Sequence, residues 1–177
     1  MRRLTLAAAL LSTGLACAPA RAQQTLYKQT EDGWFIYKED KSCALYSDFE
    51  TGTMLRFSYR SDESRIYFSA FNKAWEMMRP RLGESVMLFL EFPRIKQVHG
   101  SAGIVLANLD GRLGFTGDAF GLEEIPRALA NEGGMVLKVL WKDGGDAVEI
   151  DSFGTDGGAM AVEHLIDCSR QHFAATK

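Results

Sequence analysis

The chain has 177 residues, 46% of them hydrophobic, with 20 Lys and Arg against 23 Asp and Glu and a formal net charge of −3. That is enough sequence for one domain with a real core, and the acidic balance without a Lys/Arg cluster argues against nucleic acid and anionic membrane surfaces as partners. Beyond residue 22 no segment approaches the roughly 20 uncharged apolar residues of a spanning helix, so no transmembrane segment is expected.

The N-terminus begins Met1-Arg2-Arg3, continues through an apolar run from Leu4 to Ala18, and reaches Ala20-Arg21-Ala22. A charged start, a short apolar stretch and a small-x-small cleavage pattern describe a secretory signal peptide over 1–22, leaving a domain over 23–177. Its removal brings the net charge to about −6, because Arg2, Arg3 and Arg21 leave with it. The expected localisation is periplasmic or secreted. The competing reading is a lipoprotein anchored through Cys17, but Gly14 stands where such signals usually carry leucine. Arg2-Arg3 leaves the export route open.

Of three cysteines, Cys43 and Cys168 remain after cleavage. In an oxidising compartment two thiols pair, and with no C-x-x-C spacing and no clustered His/Cys ligands the expected role is a structural disulfide.

In chain order, Trp34–Tyr37 and Ser42–Tyr46 read as a hairpin across the polar residues 38–41. Thr53–Tyr59 alternates, and with Arg65–Phe71 makes a strand pair around the turn at 61–64. Phe71, Ala74, Trp75 and Met78 have helical spacing that stops at Pro80. Val86–Phe92 is a near-continuous apolar run that suits a strand buried on both faces. Ser101–Leu106 and a weaker strand near Arg112–Phe115 follow, joined through the Asp110-Gly111 turn. Residues 121–132 have helical character before Gly133-Gly134. Met135–Trp141 and Ala147–Phe153 flank Asp143-Gly144-Gly145-Asp146 as the clearest hairpin. A last helix starts near Asp156 and turns Ala161, Val162, Leu165, Ile166 and Cys168 to one side. The expected fold is α+β, mainly β: an antiparallel, sandwich-like sheet with a C-terminal helix packed on it and one or two short helices.

Candidate chemistry is sparse. His99-Gly100-Ser101-Ala102-Gly103 approaches a nucleophile elbow, but its first position is His99 and a strand pattern, not a helix, follows Ser101. His99, His164 and His172 include no i,i+4 pair, so no zinc site is expected, and the glycine-rich stretches lack the Lys-Ser/Thr of a phosphate loop. No cofactor is implied. Glu91 is an acid inside an apolar run: it either closes the strand facing solvent or, if buried, needs a partner such as Arg94, Arg112 or Lys138. Phe71, Trp75, Met77 and Met78 fit either a core or a groove for a lipid or peptide. Trp75, Met78, Glu91 and His99 are therefore the candidate binding residues, and no catalytic residue is assigned.

Gly33-Trp34, Cys43, the central Trp75 ahead of a long hydrophobic strand, Phe153-Gly154, and the terminal Gly-Ala helix carrying Cys168 together resemble the invasion-associated locus B family of small secreted alphaproteobacterial proteins. The resemblance spans most of 33–172, with Thr155-Asp156-Gly157-Gly158 departing from the pattern before the last helix. It implies a periplasmic or secreted accessory protein and supplies no catalytic residue. The functional expectation is a non-enzymatic exported protein that binds a protein, a peptide or an envelope component. Two alternatives stay open: a hydrolase-like enzyme using Glu91 or His99, and a small acidic inhibitor or immunity protein.

Overall fold

The computed structural model describes residues 24–60, 65–93, 95–106, 111–121, 128–129 and 134–173. The signal peptide over 1–22, the turn at 61–64 and most of the expected helix at 121–132 lie outside the described residues; of that helix, Ala128 and Leu129 are helical and buried.

Among the described residues ten strands form one antiparallel sheet. They are β1 (Thr25–Gln29), β2 (Phe35–Lys38), β3 (Cys43–Asp48), β4 (Thr53–Arg60), β5 (Arg65–Asn72), β6 (Ser85–Phe92), β7 (Ile95–Leu106), β8 (Leu113–Gly121), β9 (Met135–Leu140) and β10 (Val148–Phe153). Their spatial order is β1-β2-β3-β4-β5-β8-β7-β6-β9-β10, so β1 and β10 are the ends of the sheet. The α-helix α1 (Gly158–Phe173) packs on β2, β3 and β4. This is the mainly-β α+β arrangement with a C-terminal helix that the hydrophobic patterning implies.

The alternation of apolar residues explains the layering. Leu55 and Phe57 on β4, Ile66 and Phe68 on β5, Phe115 on β8, and Leu88 and Leu90 on β6 all point to one side and are buried, together with Ala161, Val162 and Leu165 of α1. The sheet curls far enough for its far strands to meet. The rings of Phe49, after β3, and Phe153, on β10, lie 4.8 Å apart. Thr53 of β4 donates its hydroxyl to Asp151 of β10.

The expected pairing of Cys43 with Cys168 is present. It joins β3 to α1 with both residues fully buried and the Cα atoms 6.1 Å apart. The start of α1 is held separately, by Trp34 Nε1 donating to the Asp156 carbonyl at 2.8 Å.

Several boundaries differ from those read in the sequence. Thr25–Gln29 forms a strand that polar, exposed residues conceal. β7 and β8 are longer than their apolar cores. The segment after β5 is a 3-10 helix over Glu76–Arg81 that contains Pro80, since Phe71 and Asn72 already belong to β5. Arg81 ties this helix to the β9–β10 hairpin: it lies 4.3 Å over the Trp141 ring and binds Asp143 at 3.0 Å.

Candidate functional site

Val86–Phe92 alternates between buried and half-buried positions, so Met87, Phe89 and Glu91 face outward on the side of the sheet away from the core. The expectation of a strand buried on both faces is met only in part. The large outward side chains are half-covered by their neighbours on a sheet.

Glu91 stands at the rim of a depression of about 450 Å³ at the foot of β6, β9 and β10. The core-facing residues Phe92, Met135 and Phe153 border it at the strand ends, and Pro93, Gly134, Val136, Ser152 and Gly154 complete its walls. Pro93 ends β6, having no N–H to offer the ladder. Gly134 opens β9 at φ +127°, and a Cβ there would stand 2.7 Å from the Phe153 carbonyl oxygen, so only glycine brings the two strand ends this close. Outside β10 the described residues include no further strand.

On the outward face, register places Glu91, Val136 and Ser152 in one row across β6, β9 and β10, and Phe89, Lys138 and Glu149 in the next. Lys138 Nζ lies 2.5 Å from Glu91 Oε2, with both side chains about one-third exposed. One lysine thus serves a neighbourhood with two acids. On the inward side β10 is pinned. Asp151 accepts from Thr53 Oγ1 and from the Ser152 amide at 2.8 Å. Thr53 Oγ1 in turn accepts from Asn72 Nδ2 at 2.7 Å.

A second polar cluster lies on the outward face of β3 and β4. The Arg56 guanidinium donates to Glu39 at 2.7 Å, to the Tyr46 hydroxyl at 2.9 Å and to Ser58 at 3.1 Å. Glu39 also accepts from Tyr46 at 2.8 Å and Ser42 at 2.9 Å. Burial pushes the Glu39 carboxyl up, but Arg56 together with these hydrogen bonds outweighs it and holds the group below the ordinary range. The Tyr46 hydroxyl is pushed up by burial and by Glu39 against the opposing pull of Arg56. The cluster borders a depression of about 510 Å³ lined by Thr25, Leu26, Tyr27, Lys38, Glu39, Asp40 and His172. Its charges satisfy one another, which suits a staple across three elements.

The candidate residues named from sequence separate cleanly. Glu91 is at the first depression, half-exposed and paired with Lys138. Trp75 and Met78 are 4% and 1% exposed, with Trp75 5.6 Å from the Phe115 ring, so they belong to the core; of that segment Met77 is exposed. His99 lies on β7 opposite Phe89 in register, and its side chain is outside the described residues. Ser101 is an exposed strand residue opposite Met87, with no strand-to-helix turn behind it. Among the described residues no three His, Cys, Asp or Glu side chains converge as metal ligands.

Ser152, Glu39, Tyr46 and Arg56 belong to no sequence motif, and Gly134 stands out in the sequence only as part of the Gly133-Gly134 helix stop. Arg56 carried a signal, as a charge in the middle of the alternating run Met54–Tyr59.

No family model, curated protein or solved structure matches the chain.

Proposed function

We propose that this chain is an exported, non-enzymatic binding module that holds a segment of another protein at the depression between β6, β9 and β10. The observation that carries this is Glu91: a carboxylate on the rim of a recess that the apolar residues Phe92, Met135 and Phe153 border at the strand ends, on a strand row that ends at the edge of the sheet. A recess with an apolar border and a few placed polar groups is the usual form of a recognition site. Export is supported by the N-terminal charge and apolar pattern and by the buried Cys43–Cys168 bridge, which needs an oxidising compartment to form. The resemblance to the invasion-associated locus B family is in keeping with the same placement. Hydrolysis through Glu91 has less support, because the Lys138 ammonium stands against its carboxylate and favours the charged, paired form.

The test is site-specific photo-crosslinking in extract of the source cells. A crosslinker at Ser152 is expected to capture a defined protein that one at exposed Glu163 of α1 does not. Equal capture at both positions, or none at Ser152, overturns the proposal.

A further inference from the structure

The Glu91 depression adjoins an edge that is built to be selective, and this points to the kind of segment it takes. β10 is the last strand of the sheet, and its residues Ser152 and Phe153 are also walls of the depression. A strand added to that edge runs directly past the recess. Edge strands offer backbone N–H and C=O groups to an extended peptide, and side-chain pockets beside the edge then give specificity.

Two features govern what can pair there. The ladder to β9 is interrupted by a bulge between Glu149 and Asp151, and Glu149 is exposed on the outward face. A bulge and acidic side chains deter neutral strands and deter a second copy of β10, whose acids would face these. Among the described residues the other end strand of the sheet is β1, which carries Lys28 as its single charge. A basic strand meets the opposite situation, because the acids that repel other partners attract it.

Resting on the binding-module reading, we infer that β10 and the Glu91 depression take an extended segment of a partner protein with basic residues at alternate positions. The register supports both contacts. The residue opposite Ser152 extends the row Glu91–Val136–Ser152, and that opposite Glu149 extends the row Phe89–Lys138–Glu149. Strands spaced about 4.8 Å apart place the added backbone roughly 14 Å from that of β6. A long Lys or Arg side chain crossing the short Ser152 and a Glu91 side chain reaching outward close most of that gap. Glu91 binds Lys138 and stays about one-third exposed, so the guest cation joins an existing ion pair from its solvent-facing side. The two rows belong to neighbouring outward positions on β9, Val136 and Lys138, so the basic residues of the guest fall two apart.

The experiment is fluorescence anisotropy of the purified protein with a fluorescein-labelled octapeptide alternating lysine and valine, at about 0.15 M salt. Two control peptides are used: glutamate alternating with valine, and the lysine peptide N-methylated along one backbone edge. The lysine peptide is expected to bind, and both controls are expected to bind at least tenfold more weakly. Glu91→Gln is expected to weaken binding at least tenfold, and Glu149→Gln several-fold. Should Glu91→Gln fail to fold by circular dichroism, the exposed Glu149→Gln decides. Equal binding of the N-methylated peptide reduces the effect to unspecific charge attraction and overturns the inference, as does unchanged binding in the folded variants. If the lysine peptide does not bind but the Ser152 crosslink persists, the basic guest is wrong and the binding module stands. If both fail, both fall.

Discussion

Trp34 Nε1 donates to the carbonyl of Asp156, so the β1–β2 turn grips the chain two residues before the final helix from 122 positions away in sequence. Trp34 is 2% exposed and lies against Phe49 and Phe57. Trp34→Phe keeps most of that packing and orphans the carbonyl. A lost hydrogen bond to a part-buried group costs about 1–2 kcal/mol, so the urea midpoint of Trp34→Phe should fall by that equivalent with an unchanged slope. A midpoint equal to wild type would mean that water replaces the indole without cost.

The Cys43–Cys168 bridge closes a loop of sequence separation 125. The chain-entropy model assigns such a loop about 5 kcal/mol as an upper figure. Replacing both cysteines with alanine should lower stability by a large part of that amount in equilibrium denaturation. Because neither residue is exposed, reduction of the wild-type bridge should follow global unfolding. Alkylation after reductant treatment, read by mass, should accelerate steeply with denaturant; rapid reduction in native buffer would contradict the buried bridge.

Glu39 contributes an acid-sensitive component of stability. Its folded carboxyl is held below the ordinary 4.5, so the unfolded chain takes up the proton first. The resulting stability is present above that value and lost as pH falls through the lower folded one. In Glu39→Gln this acid limb should be shallower below about pH 4.5, while stability at neutral pH drops because Arg56 loses its counter-charge. A pH–stability profile that keeps the full acid limb in the variant would show that other carboxylates cause it.

Gly134→Ala should act on the site more than on the bulk of the fold. The residue must adopt φ +127° with its Cβ at 2.7 Å from the Phe153 carbonyl, a strain of about 1–3 kcal/mol that spreading β9 from β10 can relieve. Hydrogen exchange should show faster opening of amides at Met135 and Phe153 than in wild type, with β4 and β5 unaffected. Uniform acceleration would place the strain elsewhere.

What the sequence made legible is what local chemistry decides. The β9–β10 hairpin announces itself through Asp143-Gly144-Gly145 between two alternating runs. Cys168 shares a helical side with Ala161, Val162 and Leu165, and this is the side that is buried. The site was half legible. Glu91 stood out as an acid in an apolar strand, but its recess depends on Gly134 and Ser152, which reach it through pairings over about 60 residues of sequence. The Glu39–Tyr46–Arg56 cluster is similarly non-local, since an alternating strand shows which face a charge occupies and not what it meets there. The helical spacing of Trp75 and Met78 favours a core over a groove without naming what they pack on, and contact with Phe115 places Trp75 inside.

The bridge also orders events in time. A chain delivered from its N-terminus presents Cys43 long before residue 168 follows, so the third strand waits as a reduced thiol while most of the sheet assembles. During that interval the Cys43 thiolate can attack any disulfide it encounters, forming a mixed disulfide and releasing the other half as a thiol. Secure closure therefore depends on the last tenth of the polypeptide arriving before such adducts accumulate.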